Sequence, residues 1–173
     1  VRESAAKIAG YFGYSDCADG LLECCNDPHE RVRKAAVEHL PFLEDNRIAP
    51  VLATKLKTDT PKIRAAVALA MGNVEGPTAV SNLLLALNDE DPWVRYFAAQ
   101  SLGRLREPDS IQSLVELVNK ESFNHVKIAA LEALGKLGGT EAVNTIKAQL
   151  RSEDKDVARV ATRALREATS RDF

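Results

Sequence analysis

The chain has 173 residues, 45% of them hydrophobic, which is enough apolar material for a continuous core and excludes a disordered polymer. Its formal charge is −2, with 23 basic against 25 acidic residues, so it offers no bulk attraction to phosphate backbones or anionic lipid. No apolar run approaches the roughly 20 residues that span a bilayer, and no basic segment followed by an apolar one opens the chain.

Cys17, Cys24 and Cys25 are odd in number and clustered, unlike the paired, dispersed cysteines of a secreted scaffold. They point to reduced thiols and a cytoplasmic protein. A helical pattern begins at Val1 with neither a Met nor a capping residue ahead of it, which predicts that the chain is part of a longer one.

Helical segments recur along the whole length, with equivalent apolar positions at Val1, Val32, Ile63, Val94, Val126 and Val157, spaced by 31, 31, 31, 32 and 31 residues. Four places further on stand Ala5, Ala36, Val67, Ala98, Ala130 and Ala161, and eight further on Ala9, Leu40, Met71, Leu102, Leu134 and Leu165. Offsets of zero, four and eight share one helical face, so each unit opens with an amphipathic helix, here called A. Small residues mid-stripe let a neighbouring helix approach. Pro28, Pro61 and Pro92 stand before or in its first turn, and Asp27, Asp59, Asp91 and Asp154 are placed to cap it or to complement its positive end. Nine places after the first column come Gly10, Pro41, Gly72, Gly103, Gly135 and Arg166, and glycine there is expected to end or bend helix A and to permit tight packing.

After a short turn, such as Gly76-Pro77-Thr78 or Gly138-Gly139-Thr140, a second helix B follows in each unit. Its apolar columns are Leu21, Leu52, Leu83, Leu114 and Ile146, then Cys25, Leu56, Leu87, Val118 and Leu150. One such hairpin cannot bury both faces alone, so the units must stack. The expected fold class is all-α, an α-solenoid of about five and a half antiparallel helical hairpins. It forms a single domain over 1–173 with units near 1–26, 27–57, 58–88, 89–120, 121–152 and 153–173. The last unit has only its A helix, and Arg166, Glu167 and Thr169 make that end polar, as a terminal unit requires.

The string Asp91-Pro92-x-Val94-Arg95-x-x-Ala98-Ala99-x-x-Leu102-Gly103-x-Leu105, echoed by Val126-Lys127-x-Ala129-Ala130-x-x-Ala133-Leu134-Gly135-x-Leu137, resembles the short HEAT-type repeat of the phycobilisome lyase variety, over nearly the whole chain. The resemblance implies a HEAT-like superhelix whose B helices line the concave side. It also implies a structural ladder between repeats formed by Arg33, Arg64 and Arg95 with Asp27, Asp59 and Asp91. Where the spacing stretches to 32 around Glu121-Ser122-Phe123-Asn124-His125, and where the arginine column becomes Ala158, the ladder is expected to weaken.

No constellation for chemistry stands out. His29-Glu30 resembles one of the paired His-Glu motifs of HEAT-like deoxyhypusine hydroxylases, but His39 follows Glu38 in the reverse order and His125 has no acidic neighbour. The cysteines lack a Cys-x-x-Cys spacing and read as small buried hydrophobes. No phosphate loop, nucleophile elbow or Ser-His-Asp set is present. No catalytic residue, metal or cofactor is therefore expected. Asn26, Asn88 and Asn119 read as helix C-caps. The basic column is explained by a salt-bridged ladder better than by phosphate contacts.

Residues outside the structural columns are the candidate binding positions. Immediately before the first column the units carry Arg31, Lys62, Trp93, His125 and Asp156, and two places after it Glu3, Lys34, Ala65, Tyr96, Ile128 and Arg159. Trp93 and Tyr96 break the polar habit and share a helix face, which makes them candidate hot-spot residues for a protein partner. A second candidate surface is the face of the B helices, where Glu23, Leu85 and Glu116 occupy one outward column and Asn82 and Ser113 another. The expected function is a non-catalytic protein-interaction scaffold or regulatory module. The alternative that the resemblance implies is a phycobilin lyase-like subunit assisting chromophore attachment or removal, and a nucleic-acid-binding solenoid is a third reading.

Overall fold

The structure is a computed structural model that describes residues 1–12 and 17–170. Among these residues there are eleven α-helices and no strand. The A helices are α1 (Arg2–Phe12), α3 (Glu30–His39), α5 (Pro61–Met71), α7 (Pro92–Leu105), α9 (Asn124–Leu137) and α11 (Lys155–Thr169). The B helices are α2 (Ala18–Cys24), α4 (Ile48–Thr58), α6 (Pro77–Ala86), α8 (Ile111–Lys120) and α10 (Thr140–Ala148). Among the described residues no helix is long and apolar enough to cross a membrane.

The A helices stack in sequence order, each on the next, and each B helix from α4 onward packs on the A helix that follows it. This arrangement joins the columns into one core. Ile63, Val94, Val126 and Val157 are buried, as are Ala36, Val67, Ala98, Ala130 and Ala161, and Leu40, Met71, Leu102 and Leu134. Leu21, Leu52, Leu83, Leu114 and Ile146 complete it from the B side. Each of these large side chains contributes about 2 kcal/mol on leaving water. At the first unit the pattern faces solvent among the described residues: Val1 and Ala5 are exposed.

The glycine column corrects one expectation. Gly103 and Gly135 lie inside α7 and α9 and end neither helix, and their φ values are not positive. Their role is close approach. A Cβ on Gly103 would fall 2.7 Å from Ala133 Cα, and one on Gly135 2.9 Å from Ala164 Cα, so α7, α9 and α11 touch backbone to backbone. Only Gly72 of the three caps a helix, at the end of α5, and there a Cβ would meet Ser101 Oγ at 2.6 Å. Among the described residues positive φ is confined instead to the turns, at Gly76, Gly138, Gly139 and the non-glycine Arg106.

Candidate interaction surface

The start of each A helix is built around an arginine. Arg33 Nε and Nη2 donate to Asp59 at 3.0 and 2.8 Å, Arg64 Nε and Nη2 to Asp89 at 2.9 and 2.8 Å, and Arg95 Nε and Nη2 to Glu121 at 2.8 and 3.1 Å. The third nitrogen, Nη1, donates back to carbonyls in the turn before its own helix: Asp27 O for Arg33, Asp59 O for Arg64 and Asp89 O for Arg95. Each guanidinium thus ties its own turn to the next one, using the planar fork that lysine lacks. At the first unit the same geometry is exposed, with Arg2 Nε donating to Asp27 at 2.7 Å. The pairing holds Asp27 below the usual carboxylate range through the Arg2 hydrogen bond and the His29 N–H. For Asp59 and Glu121, burial pushes upward, and the Arg33 or Arg95 hydrogen bond together with backbone N–H donors outweighs it, so both also lie low.

Asp91 does not belong to this ladder. Its Oδ1 accepts from Trp93 N at 2.8 Å and Val94 N at 3.4 Å, so it is the N-cap of α7, as Asp154 is for α11. The physical reason is reach: three residues before the first-column residue a carboxylate faces its own helix's N–H groups, whereas four before it, at Asp59, or five before it, at Asp27, Asp89 and Glu121, it faces the preceding arginine. Glu121 carries the ladder through the longer spacing, contrary to the expected weakening there. The arginine rungs end one unit later, where Asn124 Nδ2 donates to Asp154 Oδ2 at 2.6 Å instead.

Trp93 and Tyr96 come together as the sequence pattern places them, but as part of a larger aromatic cluster. Their ring centroids are 5.5 Å apart, edge to face, and Trp93 also stacks on His125 of α9 at 4.6 Å. Phe97 meets Tyr96 at 5.0 Å, and Phe123 lies 5.8 Å from both His125 and the Arg95 guanidinium. Trp93 remains 52% exposed, whereas Tyr96 is half-buried. On its other side Trp93 lines a cavity of about 560 Å³ floored by Ala65, Ala66 and Leu69 of α5. The sequence reading missed Phe97 and Leu69. The signal lies in two further columns, where Phe97 replaces Ser4, Ala35, Ala66, Ala129 and Val160, and Leu69 replaces Lys7, Glu38, Gln100, Glu132 and Arg163.

On the B side the proposed outward residues divide. Leu85 is 64% exposed, and Glu23 and Glu116 are also exposed, the latter accepting from Gln112 at 3.3 Å. Asn82, expected on the surface, is only 8% exposed, because α6 packs on α4 and α7 and its amide turns back to donate to Thr78 O at 2.8 Å. Ser113 is half-buried. Asn82 and Leu85 share the lining of a cavity of about 430 Å³ with Leu56 and Asp89, whereas Glu23 and Glu116 lie in other units.

Among the described residues no three His, Cys, Asp or Glu side chains group as metal ligands would. Cys25 is buried, and burial pushes its thiol up to about 12; Cys24 is raised by burial and then by Asp27.

Several solved structures share this fold. Over 90% of the chain it superimposes on 66% of a chain in the complex of CpcE and CpcF of phycocyanin lyase from Nostoc sp. PCC7120, at a TM-score of 0.77 and 23% identity. It covers 67% of human deoxyhypusine hydroxylase in complex with glycerol, using 97% of its own length, at 0.64 and 18% identity. A designed armadillo repeat protein is matched over 92% of its length and 96% of this chain, at 0.60 and 16% identity. The chain thus spans about two thirds of the first two relatives, and at these identities the likeness is one of fold. No curated protein sequence matches it. The family model for HEAT repeats matches residues 1–72, 49–124 and 80–166, in keeping with the repeat columns and the stacked hairpins, and the chain belongs to the HEAT-repeat family.

Proposed function

We propose that this solenoid is a non-catalytic protein-interaction module, forming one domain with unit boundaries near those of the repeat columns and working in the cytoplasm. The observation that supports this most directly is Trp93, half exposed within an aromatic cluster and bordering an apolar groove, on a layer whose other outward positions are largely charged. Large aromatic side chains with a supporting ring of packed neighbours supply much of the energy of protein interfaces. The experiment is quantitative affinity capture with the intact chain and with Trp93→Ala and Tyr96→Ala variants of confirmed fold. Loss of specific partners with the variants supports the reading; equal recovery of every partner removes it. Leu85 offers a second surface, tested in the same way by Leu85→Glu.

A second reading, assistance to an enzyme that attaches or detaches a bilin, has the fold likeness to a phycocyanin lyase chain in its favour. Mixing the chain with bilin and apo-phycobiliprotein separates the two, because absence of both a spectral change and a complex rules the bilin role out.

A further inference from the structure

The positions of α5 that line the cavity beside Trp93 differ from the equivalent positions of other A helices, and Ala65 among them is itself buried. At two positions where α3 carries Lys34 and Glu38, and α11 carries Arg159 and Arg163, α5 has Ala65 and Leu69. The next helix does the reverse, raising Trp93 and Phe97 where small or charged residues stand in most other units. A lowered apolar floor beside a raised aromatic wall makes the cavity of about 560 Å³. Glu38, Ala66 and Leu69 continue it into a second cavity of about 360 Å³ that reaches Arg104. The groove therefore follows α5, whose 11 residues extend about 16 Å, the length of a two- to three-turn peptide.

The charges around the first cavity select what fits it. Lys62 pairs with Glu30 at 2.9 Å and Lys34 with Glu38 at 3.4 Å, so these four cancel. Asp91 is the remaining carboxylate of the lining, and among the described residues it has no cationic partner; its side chain accepts the two hydrogen bonds from its own helix's N–H groups. The indole of Trp93 stands beside it. A carboxylate next to an aromatic ring at the edge of an apolar floor matches a guanidinium, which pairs with one, stacks on the other and is weakly hydrated.

We propose that the groove over α5 binds an arginine-bearing amphipathic segment of a partner protein, with its apolar side chains on Ala65 and Leu69 and its guanidinium between Asp91 and Trp93. This rests on the reading of the chain as an interaction module and adds the site and the chemistry of the partner.

Trp93 is the only tryptophan in the chain, so its fluorescence reports this site alone. The test is selection of a displayed library of random 12-residue peptides against the whole chain, followed by fluorescence titration of the enriched peptides. The expected result is enrichment of peptides with aliphatic residues at helical spacing and an arginine, each perturbing Trp93 emission. Asp91→Asn keeps an equally good N-cap while removing the charge, and affinity is expected to fall about tenfold, as loss of a charge-assisted pair predicts. Leu69→Glu, which restores the residue type found at Glu38 and Glu132, is expected to abolish binding. Failure to enrich any peptide, enrichment without a basic residue, or undiminished binding to Asp91→Asn overturns the proposal. Partner capture that depends on Trp93 in the face of such a failure leaves the module reading standing and this site assignment fallen.

Discussion

Arg95 and Glu121 meet across two units through a two-pronged ion pair, Nε to Oε2 at 2.8 Å and Nη2 to Oε1 at 3.1 Å, with the glutamate side chain only 3% exposed. Removing one partner of so covered a pair leaves a charge with no counterpart. Glu121→Ala is therefore expected to cost about 3 kcal/mol in urea denaturation, with Arg95 left to the carbonyls of Asp89 and Glu90. Asp27→Ala is the contrast, because its partner Arg2 is 58% exposed and water replaces the lost contact. A Glu121→Ala loss no larger than that of Asp27→Ala would show that the rung is not structural.

Acid should loosen the stack for a related reason. Asp59 and Glu121 have folded-state values below their unfolded ones, since the arginine and N–H hydrogen bonds outweigh the burial that pushes them up. The unfolded chain thus takes up protons first. The stability these groups supply is fully present above about pH 5 and is lost as pH falls through their folded values. Urea midpoints measured from pH 7 to pH 3 should fall, and an Asp59→Asn, Glu121→Gln double variant should start lower at pH 7 and fall less.

Two glycines give opposite expectations for the same change. Gly103→Ala forces a methyl group to within 2.7 Å of Ala133 Cα, where no flexible side chain can yield, so about 2 kcal/mol or more should be lost. Gly20→Ala, inside α2 with nothing within 4 Å of the new methyl, should raise stability by up to about 1 kcal/mol. Thermal melts of the two variants check the pair, and a neutral Gly103→Ala would contradict the close approach of α7 and α9.

The Cys25 thiol should resist alkylation in the native protein. It is buried and its ionisation is pushed up to about 12, so little thiolate exists at pH 8. Mass spectrometry after iodoacetamide treatment should find Cys25 modified only under denaturing conditions.

The architecture was readable because each repeat column restates the same physical demand. Valine at Val94 and its equivalents, alanine four places on and a large apolar residue eight places on define a helix face however the turns are made. The glycine column was readable as a close approach but not as helix interior, since glycine before a turn and glycine against a neighbouring backbone look alike in one dimension. Asp91 reads as a rung in the sequence because a shift of only one or two residues separates a cap from a rung, and only coordinates show which N–H or guanidinium a carboxylate reaches. Asn82 shows the same limit: its column looked outward, but packing of α6 turned it inward. Trp93 and Tyr96 were visible as departures from the repeat. Phe97, on the same helix, departs from its column in the same way, whereas the stacking of His125 from α9 on Trp93 required knowledge of which helices are neighbours.

The contacts at Gly103–Ala133 and Gly135–Ala164 also give the molecule a mechanical character. Where backbone rests on a methyl group, neither surface has rotamers with which to absorb displacement. Along α7, α9 and α11 the A layer therefore behaves as a stiff spine that resists both compression and sliding.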